Sequence, residues 1–211
     1  MINEQLKEST QPSHQALEKK MVSMIRKIHT RQDYVKFLKL MYGYYSALEK
    51  RVQEYVSELE IGKRRKAERL LEDISYFESM TTSGESSSRD SRTTASFEES
   101  LPQGTLPDAS WNELPAIRSH AEALGAMYVM EGSTMGGKII ARMIEGQAGI
   151  SGPSGFSFFN GYGEETGRMW EEFKVFLNRP LDEMEKLNMI LTANRTFITF
   201  YNWIDKHAAT S

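Results

Sequence analysis

Residues 124–140 read LGAMYVMEGSTMGGKII, and the fold of the chain turns on whether this stretch is strand or helix. As a strand leading into a phosphate loop, AMYVM would run into Gly132 and Gly137-Lys138, which match the pattern G-x-x-x-x-G-K. That pattern needs a Ser or Thr after the lysine to hold magnesium, and residue 139 is Ile. It also needs a parallel sheet, and strand-like alternation is absent from the rest of the chain. As a helix, the stretch places Gly125, Gly132 and Gly136 on one stripe, because they are spaced by seven and four. Glycine costs about 1 kcal/mol per residue in a helix interior, so four glycines including Gly137 demand a reason. Two reasons fit equally: another helix packs on this backbone, or something flat lies on it, with a bend over residues 132–137 letting it enter.

Working outward, apolar residues recur at helical spacing nearly everywhere. Helices are expected from Glu4 to about Ile28, with Pro12 near the first turn, from Arg31 to Leu59 and from Lys63 to Phe77. One long helix should span Ala121 to about Gly149, followed by helices from about Glu164 to Leu177 and Leu181 to Lys206. Between them, residues 81–96 read TTSGESSSRDSRTTAS and hold no aliphatic residue larger than alanine, so a mobile polar loop is expected over about 79–110. The expected class is all-α, one domain over 1–211.

Composition narrows the chemistry. There is no cysteine, hence no disulfide, thiolate nucleophile or thiolate metal site. A net charge of -3 gives no general attraction for nucleic acid, and the basic run Lys63, Arg64, Arg65 and Lys66 reads as a solvated helix face. No apolar run approaches the roughly 18 residues of a spanning helix, and MINEQLKEST lacks a secretion signal, so a soluble, cytoplasmic protein without a membrane partner is expected. Neither Glu-x-x-His, His-x-x-x-His nor G-x-S-x-G occurs. Histidine and carboxylates must carry any chemistry.

Among four histidines, His14 differs from His29, His120 and His207 in its neighbours. Lys7 lies two turns before it and Glu18 one turn after it, so the three form a line on one helix face. A carboxylate one turn away can accept the Nδ1 proton and leave Nε2 free for a metal. The same three residues also describe an ordinary surface ion-pair ladder.

Four blocks resemble the haem oxygenase family of the bacterial, biliverdin-producing type, in order and in spacing. They are LKESTQPSHQALE (6–18), LGAMYVMEGSTMGG (124–137), FFNGYGEETGRMWEEF (158–173) and TANRTFITFYNWI (192–204). The resemblance covers nearly all of the chain apart from about 79–110 and implies a haem oxygenase-like helical bundle with haem b between a proximal and a distal helix. It implies His14 as the iron ligand, Glu18 as its hydrogen-bonding carboxylate and Lys7 as a propionate partner, with Thr10 and Tyr128 also in the haem site. Gly132 and Gly136 match the distal glycines that abut the haem face. Lys174 is implied as a second propionate partner, and Phe197 and Phe200 as pocket walls. The chain departs from the animal enzymes at the distal acid, whose place by register is Ser133.

The expected activity is oxidative cleavage of haem by O2 to biliverdin, Fe(II) and CO, with residues 132, 133 and 136 lining the reacting face. No flavin, nicotinamide or iron-sulfur motif is present, so a ferredoxin or flavoprotein reductase is implied as electron donor. The alternative is a haem-binding or haem-buffering protein of the same fold that does not turn over.

Overall fold

The computed structural model describes residues 1–82, 106–150 and 154–208, and among them there is no strand. The polar stretch expected to be a mobile loop lies largely outside the described residues, although helix extends to Thr82 and residues 106–110 are placed. The helices are α1 (Ile2–Ile25), α2 (Arg31–Gln53), α3 (Glu58–Ile61), α4 (Ala67–Thr82), α5 (His120–Gly132), α6 (Gly137–Ala148), α7 (Ser157–Asn160), α8 (Thr166–Leu177) and α9 (Glu183–His207). Two of the longest, α2 and α9, begin at side-chain caps. Thr30 accepts from the Asp33 amide at 3.1 Å to start α2, and Asp182 accepts from the Glu185 amide at 2.8 Å to start α9.

Three boundaries differ from the sequence expectation, each for a local reason. α1 begins at Ile2, so Pro12 sits in its interior, where the missing N–H removes one intrahelical bond. The second helix stops at Gln53, and Glu60 turns the chain by accepting from the Ser57 amide at 2.8 Å. α4 starts at Ala67, after a 3-10 turn over Gly62–Arg64, because Glu49 of α2 accepts from the Ala67 amide at 3.2 Å and from that of Lys66. The short α7 was not expected. Its first amides, Ser157 and Phe158, donate to Asp73 of α4 at 2.7 and 3.0 Å.

α9 runs through the middle of the bundle, packed against α5 and α1, while α2 and α4 form a second layer. Aromatic rings fill the interface. Phe200 stacks on Tyr44 at 4.5 Å and meets Tyr45 edge-on at 5.5 Å, and Tyr34 stacks on Phe156 at 5.2 Å. Their polar tips are satisfied: Tyr34 donates to the Gly155 carbonyl at 3.0 Å and Trp203 to the Leu40 carbonyl at 2.9 Å. No helix among the described residues is long and apolar enough to cross a membrane.

Candidate functional site

Residues 124–140 are helical, but not as the one long helix expected. α5 ends at Gly132, a 3-10 turn covers Ser133–Gly136, and α6 continues from Gly137, so the bend falls where the glycines are. The four glycines then separate into two kinds. A Cβ on Gly125 would stand 2.3 Å from the Met189 carbonyl oxygen of α9, and one on Gly137 would stand 2.1 Å from that of Phe159 in α7. Those two glycines are there for backbone-to-backbone packing. Gly132 and Gly136 have nothing within 4 Å of an added Cβ. Their φ values of -58° and -96° are open to any residue, so backbone conformation does not call for glycine either. What remains is a strip of bare backbone facing space.

On α1, Thr10 is buried and its hydroxyl donates to the Leu6 carbonyl at 2.7 Å, close to the Tyr128 phenol of α5. Burial raises the Tyr128 phenol above its usual range while the Thr10 hydroxyl pulls the other way. α1 is sewn to α9 along its length. Ser13 donates to the Asn194 side chain at 2.7 Å, Asn194 donates back to the Ser9 carbonyl at 3.2 Å, and Lys20 pairs with Asp205. His14 lies on this seam, its ring 5.3 Å from that of Phe197. Lys7, His14 and Glu18 are all exposed, and among the described residues no hydrogen bond joins His14 to Glu18.

The remaining expected residues fall at different depths. Tyr128 lies 5.8 Å from Trp170 of α8, centroid to centroid. Lys174 pairs with Glu171 one turn away at 2.6 Å, on the half-buried flank of α8. Phe200 belongs to the aromatic core described above, a turn beyond Phe197. Ser133 is exposed as a residue, and its hydroxyl donates to the Met130 carbonyl at 2.7 Å. Its hydroxyl lies close to that of Tyr45, whose phenol burial pushes up to about 12. An open depression of about 820 Å³ is bordered by Gln15, Glu18, Val22 and Arg26. None of these residues belongs to α5 or α6.

One reading of the sequence is corrected. Of the basic run, Arg64 and Lys66 are not solvated but 5% and 1% exposed, and both donate to Glu131 of α5. Charge pattern alone could not find this, because the carboxylate that neutralises them is 65 residues away in the case of Lys66. Among the described residues no three histidine, aspartate or glutamate side chains are grouped to hold a metal ion.

α1 carries one exposed imidazole, and the bend after α5 carries two glycines with open space in front of them. The solved structures similar to this chain include haem oxygenase from Leptospira interrogans, with 15% identity, coverage of 97% of this chain and 98% of that one, and a TM-score of 0.67. Haem oxygenase-1 of the cyanobacterium Synechocystis sp. PCC6803, in complex with haem, has 15% identity, coverage of 99% and 93%, and a TM-score of 0.69. The NO- and CO-bound haem oxygenase of Neisseria meningitidis has 18% identity, coverage of 98% and 91%, and a TM-score of 0.62. At such identities the likeness is one of fold. Among curated proteins no sequence matches. The sequence family described as Heme oxygenase matches residues 1–206, nearly the whole chain, and on that match the protein is a member of the haem oxygenase family.

Proposed function

We propose that this protein is a haem oxygenase in activity as well as in family, converting haem to biliverdin, Fe(II) and CO. The observation that carries the reading is the state of Gly132 and Gly136. Neither packing nor backbone conformation explains them, and a Cβ at either would occupy the space in front of the bend. A porphyrin face needs that space. Haem is the substrate, and its own iron supplies the oxygen chemistry when it is bound.

The chain's residues would divide the remaining work. His14 presents an exposed imidazole that Phe197 holds from one side. Glu18, one turn on, is the carboxylate to which Nδ1 would donate, leaving Nε2 for iron. Lys7 is exposed on the same helix and suits a propionate; Lys174 would exchange its Glu171 partner for the other. Thr10 and Tyr128 would meet at the edge of the haem site, between α1 and α5. With no histidine or arginine in residues 132–136, hydrogen bonding at the reacting face would fall to ordered water and backbone amides. Electrons would come from a ferredoxin or a flavoprotein reductase.

A second reading, haem binding without turnover, is favoured by one detail: the Ser133 hydroxyl is already committed to the Met130 carbonyl. An absorbance time course separates the two. Purified protein with one equivalent of haemin is given air and a ferredoxin reductase system, with catalase present to remove free peroxide. Loss of the Soret band with growth of a broad red biliverdin band, abolished in His14→Ala, is the expected result. A stable ferrous oxy spectrum would move the function to haem binding.

A further inference from the structure

Two other chain segments, residues 64–66 and Tyr162, converge on one buried carboxylate immediately ahead of the bare glycines. Glu131 accepts from Arg64 at 2.6 Å on one oxygen, and from Lys66 and the Tyr162 hydroxyl at 2.7 Å each on the other. Lys66 also donates to the Tyr162 oxygen at 2.5 Å, and Arg64 to the Met169 carbonyl of α8 at 3.0 Å. Glu131 is 1% exposed. Burial lowers the Lys66 pKa, against the pull of Glu131.

A buried ion cluster is a poor route to stability, since apolar side chains of similar volume often serve as well or better. What it supplies is direction. The α-helical ladder is interrupted one residue after Glu131, and Gly132 and Gly136 have neither side chains nor neighbours in front to locate them. The strip is therefore held from behind. Thr134, buried in the middle of the turn, donates to the Glu131 carbonyl at 2.7 Å and lies against Gly161, next to Tyr162. At the far end Gly137 rests on the Phe159 carbonyl.

We infer that Glu131 is a positioning residue: clamped by Arg64, Lys66 and Tyr162, it sets how far the backbone of residues 132–136 stands from the haem face opposite His14. The inference rests on the cleft being the haem site and goes beyond that reading by naming what fixes its clearance. None of the four residues need touch haem.

Clearance can be read without turnover. Ferric haem complexes of the wild type, Tyr162→Phe and the apolar variant R64M/K66M/E131L are titrated with cyanide, which is narrow, and with imidazole, which is broad. The ratio of the two affinities cancels changes in folded fraction or haem uptake. In the apolar variant it should shift by about tenfold in favour of imidazole, the scale expected when a wall is displaced by a fraction of an ångström. Tyr162→Phe keeps every charge paired, is expected to fold, and should shift the ratio the same way by less. A ratio within about twofold of wild type in both variants, whatever their melting temperatures, reduces the cluster to a structural brace and overturns the inference. A shift toward cyanide overturns it as well. Should the apolar variant not fold, an unshifted ratio in Tyr162→Phe alone decides against it. If the wild type binds no haem, or His14→Ala binds it with an unchanged spectrum, the haem-site reading fails first and this inference with it.

Discussion

The two helical faces proposed to hold haem are built on opposite principles. The α1 face carries Lys7, His14 and Glu18 as exposed side chains and is attached to α9 by the Asn194 amide, the Phe197 ring and the partly exposed ion pair of Lys20 with Asp205, with no buried charge. The wall of α5 and α6 offers bare backbone and is held from behind by buried charge at Glu131, Arg64 and Lys66. A regular helix places side chains by its own period, so α1 needs only an attachment. Backbone presented through glycine has no side chain to anchor it, and its position must come from neighbours.

The largest test of this contrast removes the anchor. Glu131→Ala leaves two buried cations without their carboxylate and should cost about 3 to 5 kcal/mol in urea unfolding, if it folds at all. Next come the glycines. Gly125→Val and Gly137→Val drive side chains into backbone carbonyls and should each lose on the order of 1 to 3 kcal/mol. Gly132→Leu and Gly136→Leu should leave stability unchanged or raised by up to about 1 kcal/mol while abolishing the haem Soret shift. Equal destabilisation at all four would erase the distinction between the two kinds of glycine.

The α1 wall should be more forgiving. Asn194→Ala removes bonds to Ser13 and Ser9 in a half-exposed seam and should cost about 1 kcal/mol, with haem affinity lowered only modestly. The smallest effect is one of pH. Burial pushes Glu49, which caps α4 beside the cluster, from 4.5 up to about 7. The folded protein therefore holds a proton there that the unfolded chain releases, so this contribution to stability is complete below 4.5 and lost as pH rises through about 7. Asp73, raised from 3.8 to about 6 by burial, adds a loss of the same sign. Glu49→Gln should flatten the fall of the urea midpoint over that range, and an unchanged slope would remove Glu49 as its source.

Much of the α1 wall was legible in the sequence because helical spacing is local. Residues seven before and four after His14 must share its face on a helix, wherever that helix packs. The bend at residues 132–137 was legible too, since a glycine run breaks a helix on its own account. The basic run at 63–66 misled, because a charged residue reads as solvated unless its partner is visible, and Glu131 is far away in the chain. The stacking of Phe200 on Tyr44, three residues along α9 from Phe197, likewise depends on a partner far away in the chain.

By itself, then, the sequence determined the helical class, the line of Lys7, His14 and Glu18, and the presence of a glycine strip, all set by periodicity and intrinsic propensity within a few turns of chain. Tertiary structure alone decided which glycines are bare and which are packed, and which charges are buried. Both depend on what lies on the other side of a helix, and the chain brings that neighbour from dozens of residues away.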